Sequence, residues 1–138
     1  MIRDANALSE VRKGWAGVEA LRARLQRSAF GALGVAGGEF PFALADAAHN
    51  LPFVHAYAVL NDVLLQLATE GHFACKSIFL GELLKMSRSV LPWQDFAVVS
   101  TGAARRNDVA HRGELLGRGD CWSFIDAIKT ELSAWGVL

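Results

Sequence analysis

Pro52-Phe53-Val54-His55-Ala56-Tyr57-Ala58-Val59-Leu60-Asn61-Asp62-Val63-Leu64-Leu65-Gln66-Leu67-Ala68-Thr69-Glu70 is apolar on nearly every side of a helical projection. A helix without a polar face belongs in a core or in a subunit interface. Pro52 suits its first turn, where a missing N–H costs nothing, with Asn50 near the cap. Gly71 is a natural stop. Asn61 and Asp62 interrupt the apolar run. Polar groups on a buried helix need partners, so these two either face a polar cleft or mark an exposed edge.

The flanking segments are amphipathic and fit around such a helix. From Asp4 to about Phe30, Leu8, Val11, Trp15, Val18, Leu21, Leu25 and then Ala29 recur at steps of three and four, which is one helical stripe. Gly14 and Gly17 each weaken that helix by about 1 kcal/mol against Ala, which points to a close helix neighbour. Gly31 to Pro41, with four glycines, is expected to be a loop. The Ala-rich Phe42 to His49 is expected to form one or two helical turns.

After Gly71, a third helix is predicted over about Ile78 to Val90, carrying Phe79, Leu80, Leu83, Leu84 and Met86 and ended by Pro92. A fourth begins near Trp93, with Phe96, Val99, Ala103 and Ala110 facing inward. A last helix from about Asp120 to Trp135 shows Trp122, Ile125, Ile128, Leu132 and Trp135 on one stripe, capped by Asp120 or Ser123. No segment alternates as a strand. The expected fold is all-α: one domain over residues 1–138, an antiparallel bundle of about five helices.

Composition narrows the function classes. A chain of 138 residues buries roughly two-thirds of its unfolded surface. Its mean hydropathy of +0.24 points to apolar surface covered by a second copy, hence a homodimer. With 14 basic and 14 acidic residues the net charge is zero, so any polyanion site must be local. Cys75 and Cys121 are too few for a disulfide framework and read as core thiols in a reducing compartment. The charged start, Met1-Ile2-Arg3-Asp4, does not read as a signal peptide. No apolar run reaches the roughly 18 residues of a membrane span. A soluble cytoplasmic protein without membrane contact is expected.

Chemistry-bearing residues concentrate in Gly102 to Glu114, G-A-A-R-R-N-D-V-A-H-R-G-E. On a helix, Asn107 and His111 share a face, as do Asp108 and Arg112. Arg106 and His111 lie about 140° apart around the axis. They can converge on one phosphate through the length of the arginine, or if the helix loosens before Gly113. Histidine moves protons near neutral pH, and guanidinium forks to phosphate oxygens. RNA brings its own nucleophile, the 2′-hydroxyl, so no metal or cofactor is needed. The competing reading is a solvated helix end with Asp108 and Arg112 as an i,i+4 ion pair worth a few tenths of a kcal/mol.

The other candidates are weaker. His49, His55 and Asp46 lack metal-ligand spacing, with Pro52 between the histidines. His72, at a helix end, is read as structural. Ser100-Thr101 has no nucleophile elbow around it. The four tryptophans fall on apolar stripes and read as core or interface residues.

Arg106-Asn107-Asp108-Val109-Ala110-His111 resembles the signature of HEPN domains, an arginine four to six residues before a histidine with a polar residue after the arginine. The layout is similar too: a long first helix, an apolar second, and the motif on a late helix. The resemblance implies a helical homodimer that brings two motifs into one cleft, with metal-independent endoribonuclease activity in catalytic members. Such members are often toxins or defence components paired with a nucleotidyltransferase-like antitoxin. It assigns phosphate binding to Arg106, orientation to Asn107 and acid/base work to His111. Arg105 and Arg112 would contact RNA, with Asn61, Asp62 and Asp108 in or behind the cleft. Some toxin members carry a tyrosine two residues after the histidine, where nucleotides are attached. Gly113 stands there in this chain.

Overall fold

The computed structural model describes residues 1–27 and 39–138, with side chains for 1–27 and 47–138. Among these there are five helices and no strand: α1 (Ala5–Gln26), α2 (Glu39–Thr69), α3 (Leu80–Ser87), α4 (Phe96–Arg112) and α5 (Arg118–Ala134). The architecture is the all-α bundle expected from the sequence.

α2 is the axle of the fold and packs against each of the other four helices. Phe53, Ala56, Tyr57, Leu60, Val63, Leu64 and Leu67 have no solvent exposure. Burying a side chain of the Leu or Phe size is worth about 1.5–3 kcal/mol, so this one helix carries much of the stabilisation. Its start differs from the expectation: Pro52 lies inside α2, buried, and the helix reaches back to Glu39. An interior proline costs about 3 kcal/mol, a penalty that the apolar burial from Phe53 to Leu67 offsets. Of the expected Gly31–Pro41 loop, residues 39–41 are thus helical. Residues 28–38, including Ala29, lie outside the described residues. The 47–69 segment is also long and apolar enough to cross a membrane by length and composition, contrary to the sequence reading. Its apolar side chains form the core of the bundle.

α1 runs antiparallel to α2. Arg3 and Asp4 meet Glu70, and Gly14 meets Val59 and His55. A Cβ on Gly14 would lie 3.2 Å from Val59 Cγ2, and His55 Nε2 lies 3.1 Å from the Gly14 carbonyl. This is the close neighbour that the glycines pointed to. α1 is also antiparallel to α5: Arg12 Nε donates to the Val137 carbonyl at 2.8 Å, Glu19 pairs with Lys129 at 2.8 Å, and Arg22 forks to Asp126.

α3 is shorter than predicted, and only Leu83, Leu84 and Ser87 of it are buried. Ile78, Phe79, Met86 and Val90 remain exposed. α5 starts at Gly117, with no side-chain cap, where Asp120 or Ser123 was expected. The reason is upstream: Leu116 is held by α2, so the chain turns into α5 at once. Asp120 falls in the first turn instead, where its charge favours the helix dipole.

Candidate functional site

The motif lies on α4, and the sequence fixes that helix at four points. Asp95 caps it, accepting from Val98 N–H at 3.1 Å. Glu131 of α5, only 1% exposed, accepts the Gln94 N–H at 2.8 Å and the Asp95 N–H at 2.6 Å. At mid-helix, Gly102 lets α4 approach α2 and α5. A Cβ there would overlap the Tyr57 hydroxyl and fall within 2.6 Å of the Phe124 ring. The Tyr57 hydroxyl donates to the Val99 carbonyl at 2.9 Å, and its burial pushes the phenol pKa well above the usual range. At the C-terminus Gly113 adopts φ 66°, the left-handed geometry that suits glycine, and its N–H bonds the Asp108 carbonyl. The following loop is tied to α2 through Asn50 and Leu116.

On this helix the motif residues divide between two recesses and open solvent. Arg106 is half-buried and lines a recess of about 270 Å³ with Tyr57, Asn61, Asp62, Ile78 and Phe79. Its Nη1 donates to Asn107 Oδ1 at 3.3 Å, whereas its Nε is buried without a hydrogen-bond partner. Asn107 lines a neighbouring groove of about 370 Å³ between α3 and α4. Leu80 borders both spaces. Arg105, His111 and Arg112 are exposed, the latter two in the last turn of α4.

Several sequence expectations are corrected here. α4 stays regular to Arg112, so the helix does not loosen before Gly113. His111 does not line the recess that Arg106 borders. Ala110 is exposed, not inward-facing. Asp108 and Arg112 form no ion pair among the described residues; an exposed pair gains too little to hold two side chains together. The Asp108 main-chain oxygen instead serves the helix end, receiving the N–H groups of Gly113 and Glu114. What the structure does bring together is Arg106 with Asn61 and Asp62, drawn from helices forty-odd residues apart in sequence.

The remaining histidines are engaged. His49 meets the Trp122 ring edge-on at 5.6 Å, His55 bonds α1, and His72 lies 3.6 Å from Glu70. Among the described residues no three His, Cys, Asp or Glu side chains gather as metal donors. Cys121 is buried, and burial together with the nearby Asp120 charge pushes its thiol up to about 12. It is an inert core thiol.

Sequence reasoning passed over Asn50, read only as a residue near a cap, and Glu131. Both are polar residues with under 4% exposure. Their one sequence signal is a polar residue beside an apolar stripe.

Comparisons of the chain with protein-family models, with curated proteins and with solved structures find no match.

Proposed function

We propose that this chain is a metal-independent endoribonuclease of the HEPN type, active as a homodimer in which two copies of α4 share one Arg/His cleft. One observation carries the reading. Of the four histidines, His111 alone is both exposed and without a partner among the described residues, and it lies in the last turn of the same helix that holds Arg106 with a buried, unbonded Nε at a recess. The two side chains do not share a recess within one chain, so a second copy completes the site.

In this reading one His111 takes the proton of a ribose 2′-hydroxyl. The 2′-oxygen attacks the adjacent phosphorus, the P–O5′ bond breaks, and the partner subunit's His111 returns a proton to the leaving 5′-oxygen. The products are a 2′,3′-cyclic phosphate and a 5′-hydroxyl. Arg106 forks to the phosphate oxygens and stabilises their added charge. Asn107 orients that guanidinium through its Oδ1. Arg105 and Arg112 add attraction for the RNA backbone. A cytoplasmic toxin or defence role beside a nucleotidyltransferase-like antitoxin belongs to the same proposal.

A second reading is favoured by Ile78 and Phe79, 63% and 73% exposed at the recess rim. Apolar groups so placed suit a non-catalytic helical module that contacts a nucleotidyltransferase-like or other protein. RNA cleavage in excess EDTA separates the two. Wild type should cleave to cyclic-phosphate ends, with His111→Ala and Arg106→Ala each slower by about 10²–10⁴-fold at matched folding. No cleavage by wild type across varied RNAs would favour the binding module.

A further inference from the structure

Ion pairing is divided unevenly across the molecule. On the α1 side, Arg3, Lys13, Arg22 and, from α5, Lys129 each have a carboxylate partner, while Arg12 and Arg27 donate to main-chain carbonyls and Arg24 has no ion pair among the described residues. Between residues 76 and 112 no cation has one among the described residues: Lys76, Lys85, Arg88, Arg105, Arg106 and Arg112 are all unpaired. The six cations of this segment outnumber its three carboxylates, Glu82, Asp95 and Asp108, so an uncharged whole carries a local positive surplus between α3 and the end of α4.

Two of these cations line the groove between α3 and α4. Among the described residues Lys85 and Arg88 are its only charged lining, with no carboxylate. They stand three residues apart, so their Cβ atoms lie about 5–6 Å from each other on one face. That spacing is comparable to the step between successive phosphates of a single strand. The Arg88 guanidinium lies 5.2 Å over the Phe96 ring, and Phe96 is itself wedged edge-on against Trp93. The ring contact restrains the guanidinium, and among the described residues none of its N–H groups is hydrogen-bonded, so they are open to phosphate oxygens. Ser100 and Asn107 supply hydroxyl and amide groups along the same wall. The groove abuts the Arg106 recess, with Leu80 as the shared border.

We infer that the α3–α4 groove is the track for the RNA strand flanking the scissile phosphate, with Lys85 and Arg88 binding successive phosphates of a single strand. This rests on the ribonuclease reading and adds to it a binding element outside the motif and a preference for unpaired RNA. A rigid duplex cannot enter a cleft between two packed helices, whereas a single strand can.

The test uses the full chain carrying His111→Ala, so that RNA is bound without being cut, and a fluorescein-labelled single-stranded oligoribonucleotide read by anisotropy across salt concentrations. Adding Lys85→Gln and Arg88→Gln, both at exposed positions, should weaken binding at least tenfold and lower the salt slope by about 1.4, since each single-strand phosphate contact contributes about 0.7. Lys13→Gln with Arg24→Gln, on α1, should change neither. The same sequence as a duplex should bind more weakly. An unchanged slope in the Lys85/Arg88 variant, while wild type still cleaves RNA in EDTA, would overturn the groove and leave the ribonuclease reading standing. Equal affinity for duplex would overturn the single-strand track. No binding and no cleavage would overturn both.

Discussion

Asn50 and Leu116, 66 positions apart in sequence, exchange two hydrogen bonds in the core. Asn50 Nδ2 donates to the Leu116 carbonyl at 2.9 Å, and the Leu116 N–H donates to Asn50 Oδ1 at 3.1 Å. The amide thus copies a β-ladder contact and satisfies a loop backbone that would otherwise be buried unbonded. That loop is the one leaving the motif helix, so the exit of α4 is anchored on α2. His111 stands in the last turn before it.

Replacing Asn50 with leucine should therefore cost more than one ordinary hydrogen bond. The Leu116 N–H would remain buried and unpaired, and its carbonyl would keep only the weak Cys121 Sγ contact at 3.9 Å, at about 1–3 kcal/mol for each lost bond before relaxation. A fall of about 2–4 kcal/mol in urea unfolding is expected, with the slope unchanged. RNA cleavage measured well below the transition should also drop, because the end of α4 loses its anchor. A stability loss under 0.5 kcal/mol would show that the pair is not formed.

Gly102 offers a second check on how α4 is seated. In an open helix Gly→Ala gains about 1 kcal/mol. At this position the new methyl would overlap the Tyr57 hydroxyl and press on Phe124, and overpacking costs about 1–3 kcal/mol. Gly102→Ala should lower the melting temperature. Adding Tyr57→Phe, which removes the overlapped oxygen, should recover part of the loss. Independent effects of the two changes would contradict the close approach.

Much of this fold was readable because burial is periodic. The α5 stripe of Ile125, Ile128 and Leu132 is fully buried, as its spacing requires. The run from Phe53 to Leu67 is apolar on nearly every side because four helices pack on it. Pro52 misled because a local start signal competes with tertiary packing, and packing won. Glu131 and Asn50 were unreadable for a different cause. Nothing local distinguishes a buried carboxylate from a solvated one; the groups it serves, at Gln94 and Asp95, arrive from another part of the chain. The Asp108–Arg112 spacing allowed an ion pair, but an exposed pair is too weak for spacing to guarantee it. At the motif, residue types announced Arg106 and His111, whereas their separation into a recess and a solvent face depends on how α4 docks.

Acid stability follows from Glu70. Its carboxylate accepts from the Gln66 side chain at 2.9 Å and from the N–H groups of Arg3 and Asp4 at 2.8 and 3.0 Å. The Gln66 bond first, then the two backbone donors and the Arg3 charge, hold its pKa down at about 2, against an ordinary 4.5. A depressed carboxylate stabilises the fold fully above its unfolded pKa, and the contribution is lost as pH falls through the folded value. The gap in stability between wild type and Glu70→Gln should be widest at neutral pH and close as pH falls from about 4.5 toward 2. A gap constant with pH would mean that the carboxylate charge plays no part in tying the N-terminus to α2.

The proposed shared cleft makes a prediction that does not depend on knowing the natural RNA. If each cut needs one His111 as base and another as acid, a dimer with a single His111→Ala subunit is silent. Refolding wild type with His111→Ala at equal concentrations gives wild-type pairs in only about a quarter of dimers, by random pairing of identical interfaces. Activity per total chain should then fall with the square of the wild-type fraction, reaching about a quarter of the unmixed rate. A site complete within each chain would give a linear fall, to about half. The outcome turns on the position of His111. It lies on the open end of α4, outside the recess that Arg106 borders, so in the ribonuclease reading a second copy is what brings an imidazole to the phosphate assigned to Arg106. A linear fall would place both groups on one phosphate within a single chain, and the regular helix between them would then have to unwind when RNA binds.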